Sequence, residues 1–126
     1  MARHNETGKR GEVLASCWLI MQGYQILHHN WRVGRCEIDL IARRHGVLHF
    51  IEVKTCTGMT YGFPEERVNK RKWKTFQQCG EQYLQDFEYP LFLQFDVLSL
   101  VIRHDQVSYL LFEDVFTGKT MSSFLF

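Results

Sequence analysis

The sequence predicts an α/β domain with a mixed central sheet and helices packed against it. Three observations point there. Apolar residues recur at helical spacing over residues 8–22 and again from residue 64 to about 87. Five other segments are dense in Val, Ile, Leu and Phe and are separated by turn formers. The resulting order is α-β-β-β-α-β-β, in which short turns make meandering strands antiparallel while the long helical connection permits one parallel pair. With 126 residues and no repeat, low-complexity tract or linker, residues 1–126 read as one domain large enough to bury a core.

Residues 1–7 are polar and read as a loose end. In the first helix Leu14, Cys17, Trp18 and Met21 fall at i, i+3, i+4 and i+7, and Gly23 supplies a stop. Glu12 lies in its first turn, where the helix dipole favours an acid whether or not it has a function. Residues 25–31 form the first strand. His28 and His29 are adjacent, so they point to opposite faces, and Trp31 reads as core. Residues 32–35 turn into a hairpin of residues 36–42 and 47–54 around Arg44-His45-Gly46. Turn formers fill 55–63, and Pro64 suits the first helical position. Along the second helix Val68, Phe76, Cys79, Tyr83 and Phe87 share one side. Arg67, Lys70, Arg71 and Lys74 share the other, a basic stripe without interleaved acids. Residues 91–102 are almost continuously apolar, as a strand covered on both faces is, and 107–112 form the last strand. The tail, 113–126, ends in Phe124-Leu125-Phe126 and either packs back or serves a partner.

Fifteen Lys plus Arg against fourteen Asp plus Glu leave a formal charge of +1, so nucleic-acid binding would use a local patch rather than bulk charge. No apolar run approaches the roughly 20 residues of a membrane span, and no secretory signal opens the chain. Cys17, Cys36, Cys56 and Cys79 lie far apart without a Cys-x-x-Cys, which reads as free thiols in the cytoplasm rather than zinc ligands or a disulfide framework.

The chemistry concentrates in the hairpin. Asp39 sits in the apolar run Ile38-Asp39-Leu40-Ile41, and Glu52 in Phe50-Ile51-Glu52-Val53, although acids are depleted in strands and costly to bury. Glu52 and Lys54 share a face. Two carboxylates and a lysine on adjacent strands suit a hard divalent cation, which takes oxygen ligands and keeps water or substrate phosphate. A strand-end Asp39 and a plain Glu52–Lys54 ion pair is the bland alternative. Asp96 interrupts its own strand in the same way, with a structural and a site role equally open.

Asp39, thirteen residues, then Glu52-Val53-Lys54 resembles the Asp…(Asp/Glu)-x-Lys signature of restriction-endonuclease-like nucleases. Gly8-Lys9-Arg10-Gly11-Glu12, Asn30-Trp31-Arg32, Glu37-Ile38-Asp39-Leu40-Ile41-Ala42, Phe50-Ile51-Glu52-Val53-Lys54-Thr55 and Phe95-Asp96-Val97 are similar, in order and spacing, to blocks of the YraN-like family, relatives of Holliday-junction resolvases. The resemblance implies a restriction-endonuclease-like core. It implies metal-dependent hydrolysis of phosphodiesters in DNA, branched or damaged DNA among the substrates. Asp39, Glu52 and the Val53 carbonyl would hold Mg²⁺ or Mn²⁺, with Glu12 completing the shell or binding through water. Lys54 would orient water or stabilise developing charge, and Arg67, Lys70, Arg71 and Lys74 would grip phosphates. Where family members commonly carry Gly, Arg and Arg, this chain has Cys36, Cys56 and Gln94. Partners expected are DNA and no membrane, without a small-molecule cofactor; a homodimer stays open. A nucleic-acid-binding adaptor that keeps the nuclease fold without turnover is the opposing class, and an interaction domain using the hydrophobic tail is a third.

Overall fold

The computed structural model describes residues 2–57, 70–86 and 92–115, with side chains for 8–57, 74–85 and 92–115. Helix α1 (Ala2–Met21) leads into strands β1 (Gln25–Val33), β2 (Cys36–Arg44) and β3 (Val47–Thr57), then helix α2 (Lys70–Asp86) and strands β4 (Phe92–Arg103) and β5 (Gln106–Phe112). The five strands form one sheet in the order β1-β2-β3-β4-β5. The β3–β4 pair is parallel and every other neighbouring pair antiparallel. This is the α/β class, mixed sheet and element order that the sequence predicts.

Local chemistry accounts for the turns. His45 and Gly46 both take positive φ, 51° and 74°, as a two-residue hairpin loop between right-twisted strands requires. Helix α1 ends where Gly23 takes φ 93°. Gly23 N–H bonds the Ile20 carbonyl and Tyr24 N–H the Leu19 carbonyl, so the last turn closes in a Schellman arrangement. Tyr24 and Leu19, brought together by it, are both buried in the core.

The sheet separates two apolar layers. On one side Ala15 and Leu19 of α1 pack with Tyr24, Leu40, Ala42, Ile51, Leu98 and Leu100. On the other, Cys79 and Tyr83 of α2 pack with Ile38, Ile41, Leu48 and Phe50. Tyr83 is fully buried, its ring edge-on to Trp31 at 5.2 Å and to Phe50 at 5.5 Å. Trp31 is therefore core, as expected, and so is the predicted side of α2 at Phe76, Cys79 and Tyr83. Among the described residues no helix is long and apolar enough to cross a membrane.

Four expectations are corrected. The first helix starts at Ala2, so residues 2–7 are not a loose end and Glu12 lies in mid-helix, not in a first turn where the dipole would favour it; Ala and Arg favour helix and no Pro interrupts the stretch. Its buried stripe runs through Ala15 and Leu19, while Cys17 and Met21 are exposed. Residues 13–21 are apolar almost throughout, so more than one phase fits the spacing. The first turn shrinks to residues 34–35, because Arg32 and Val33 stay paired with Glu37 and Cys36. Finally, Cys36 and Cys79 are joined in a disulfide, with Cα atoms 6.2 Å apart, and only Cys17 and Cys56 are free. Pro64, Arg67, Val68, Phe87 and the tail from residue 116 lie outside the described residues.

Candidate active site

The site forms where the sheet forks. The β2–β3 ladder runs from Arg44↔Val47 to Leu40↔Ile51 and ends there. Beyond it β2 stays with β1 as far as Val33↔Cys36, and β3 stays with β4 as far as Thr57↔Ile102. Two arms of one sheet part company at Asp39. The parting leaves β3 donors without the β2 backbone, and a buried N–H without an acceptor is costly. Asp39 Oδ2 takes the Val53 N–H at 2.8 Å in place of that backbone. Both groups of one strand residue project toward the same neighbour, so the Val53 carbonyl also faces the fork.

Strict alternation fails at the same point. Ile38 and Leu40 would share a face in a regular strand, yet they belong to opposite core layers. The pairing places Asn30 across from Asp39, between His29↔Leu40 and Trp31↔Ile38, and Asn30 takes φ 50°. Asn tolerates this left-handed conformation better than most side chains. Its amide also reaches α1, where Asn30 Nδ2 donates to Glu12 Oε2 at 3.5 Å. Gly11 lets the helix come that close: a Cβ there would run into the Thr55 hydroxyl of β3. Gly11 against one arm and Glu12 on the other pin α1 across the fork.

Asp39 carries the electrostatic signature of the site. Its carboxyl is pushed up to about 6, first by burial, opposed by the Val53 N–H, and further by the charges of Glu52, Glu12 and Glu37. Lys54 Nζ lies 3.1 Å from Glu52 Oε1, with the two side chains 27% and 14% exposed. The predicted residues Asp39, Glu52, Lys54, Val53 and Glu12 thus meet around one fork. Among the described residues, no three of His, Cys, Asp and Glu make a complete cage for an ion. An all-oxygen donor set built on one or two carboxylates fits a cation that keeps several waters, as Mg²⁺ does.

The basic stripe is placed only in part. Lys70, Arg71 and Lys74 lie on the first turns of α2, and Lys74 is exposed; Arg67 is outside the described residues. Further along the same helix Phe76 stacks on Phe95 of β4 and Tyr83 meets Trp31 of β1.

Asp96 is structural. It is buried, its Oδ2 lies 2.6 Å from His49 Nδ1, and its Oδ1 accepts from Gln94 Nε2 and from the Asp114 N–H, both at 2.9 Å. Its strand neighbour Phe95 takes the Val115 N–H, so the pair secures the chain after β5. Gln94 therefore serves Asp96 rather than the fork. Asn30 is the residue that spacing alone did not mark; its signal was an Asn directly across the hairpin from the strand acid.

The model of a family described as "Uncharacterised protein family UPF0102" matches residues 11–100. That span begins at Gly11 and ends within β4, so it contains every residue of the fork. A UPF0102 protein of Phocaeicola vulgatus is 41% identical over 101 residues, covering 80% of this chain and 84% of that protein. One of Bacteroides thetaiotaomicron is 37% identical over 101 residues, with the same shares. One of Flavobacterium psychrophilum is 33% identical over 116 residues, covering 92% of this chain and 98% of its own.

Proposed function

From a chain that belongs to the UPF0102 (YraN) family, and from the chemistry of its fork, we propose a metal-dependent endonuclease acting on DNA, branched or damaged DNA among its substrates. The observation that carries this reading is Asp39. A fold does not bury a carboxyl among three other acids for stability, since the charged form is disfavoured there. A bound cation reverses that penalty.

Asp39, Glu52 and the Val53 carbonyl would hold Mg²⁺ or Mn²⁺, with Glu12 reaching it through water. Such a cation supplies charge stabilisation at phosphoryl oxygens and a more acidic water. The remaining work falls to the protein's own side chains. Lys54, released from Glu52, orients the attacking water or meets the charge that grows on the phosphate. Lys70, Arg71 and Lys74 neutralise backbone phosphates and fix register without reading bases. Asn30 keeps Glu12 over the fork.

The Glu52–Lys54 pair also suits the second reading, an adaptor that binds nucleic acid without turnover, because the lysine already has a partner. Stringently purified protein incubated with Mn²⁺ and a panel of branched, nicked and linear DNAs decides between them. The nuclease reading expects metal-dependent cleavage that chelation abolishes. Binding with every strand left intact supports the adaptor and overturns the nuclease.

A further inference from the structure

One arm of the fork carries cations that the site above does not use. Past Asp39, β1 and β2 continue as a paired hairpin whose tip is Val33, Gly34, Arg35 and Cys36. Gly34 takes φ 57° in the turn. Arg32 is held by Glu37 at 3.1 Å, and Arg35 beside it is exposed. At roughly 3.3 Å per residue, Arg35 stands within about 13 Å of Asp39 along the strand. A nucleic-acid strand with one phosphate at the fork has a further phosphate of the same strand within reach of Arg35.

The arm is anchored at both ends. At its root Trp31 meets Tyr83 of α2 edge-on at 5.2 Å. At its tip Cys36 is bonded to Cys79 of the same helix, 43 residues away in sequence, both cysteines being buried. The disulfide therefore sets the spacing between Arg35 and the helix that carries Lys70, Arg71 and Lys74.

We propose that this hairpin is a phosphate-contacting arm, with Arg35 as its contact, and that the Cys36–Cys79 disulfide holds the arm in its binding position. The inference rests on the nucleic-acid reading above. A small dithiol delivers two electrons and two protons to the Cys36–Cys79 bond and closes its own disulfide, leaving two protein thiols. The arm then loses its covalent tie at the tip and keeps its packing near the root, Trp31 and Ile38 against Tyr83 of α2.

The test is binding of a fluorescent branched DNA in EDTA, where cleavage does not interfere, titrated with salt. The samples are wild type and Arg35→Gln, each oxidised and reduced with dithiothreitol, and Cys36→Ser/Cys79→Ser; reduced wild type stands in if that variant does not fold. Arg35→Gln should lower the slope of log affinity against log salt by about one. Reduction should do the same to wild type, the double-serine variant should match reduced wild type in both buffers, and reduction should leave Arg35→Gln nearly unchanged. An unaltered slope in Arg35→Gln overturns the contact. Wild type indifferent to reduction, or an equal loss on reduction in wild type and Arg35→Gln, overturns the latch. No binding by wild type at all overturns this proposal and the DNA reading together, whereas binding with an unchanged Arg35→Gln slope overturns the arm alone.

Discussion

Asp39→Asn melts above wild type at pH 7 without divalent cations, by about 3–8 °C. The Asp39 carboxyl has an ordinary value of 3.8 and is pushed up to about 6 in the fold, chiefly by burial. Below the ordinary value both folded and unfolded chains hold the proton. Between 3.8 and about 6 only the folded chain holds it, so stability declines as pH rises through that window and levels off above it. Two units correspond to at most about 3 kcal/mol, and partial exposure makes roughly 2 a fairer figure. Asparagine keeps an oxygen for the Val53 N–H and removes the charge. With a net gain of about 1–2 kcal/mol, a domain of this size shifts by several degrees. The variant should also lose the decline between pH 4 and 6, and should gain nothing from Mg²⁺ or Mn²⁺, which stabilise wild type by binding only its native state. Thermal melts across pH check all three. A variant less stable than wild type at pH 7 would mean that Asp39 is in place for the fold.

Lys54→Ala should lose cleavage by about 10²–10³-fold, or roughly 3–4 kcal/mol, the usual effect of removing one donor aimed at developing charge. The loss should fall on the rate rather than on binding, because the interaction strengthens only in the transition state. Lys54 is partly exposed on a strand whose neighbours remain packed, so the fold should persist. Branched-DNA affinity should stay within a few-fold of wild type. Single-turnover rates with saturating protein separate the two effects. A variant that binds tenfold more weakly but cleaves at the wild-type rate once saturated would make Lys54 a phosphate grip and nothing more.

Much of the framework was legible because its causes are local. The positive-φ loop at His45-Gly46 and the stop at Gly23 are written in single residues. The β strands announce themselves by composition, and the parallel β3–β4 pair follows from the helix between them. Asp39, Glu52 and Lys54 stood out because acids are unwelcome in strands. What stayed hidden depends on how elements dock. Residues 13–21 are apolar on nearly every side, so only packing could show that Ala15 and Leu19 face inward while Cys17 and Met21 face out. Two cysteines 43 residues apart carry no signal of being neighbours until α2 lies across β2. The fork was equally invisible, since a ladder that ends at Leu40↔Ile51 leaves no mark on the composition of either strand. Asp39 could be marked as unusual, but not as the group that takes the Val53 N–H.

In the proposed function the fork carboxylates form one divalent-cation site. Titration of Mn²⁺ into the metal-free protein at pH 7.5, with free ion followed by its paramagnetic resonance, measures that directly. Wild type should show a saturable site whose affinity weakens as pH falls through about 6, because the ion must displace the Asp39 proton. Asp39→Asn and Glu52→Gln should each abolish it while remaining folded. Identical titrations for all three proteins would contradict the assignment.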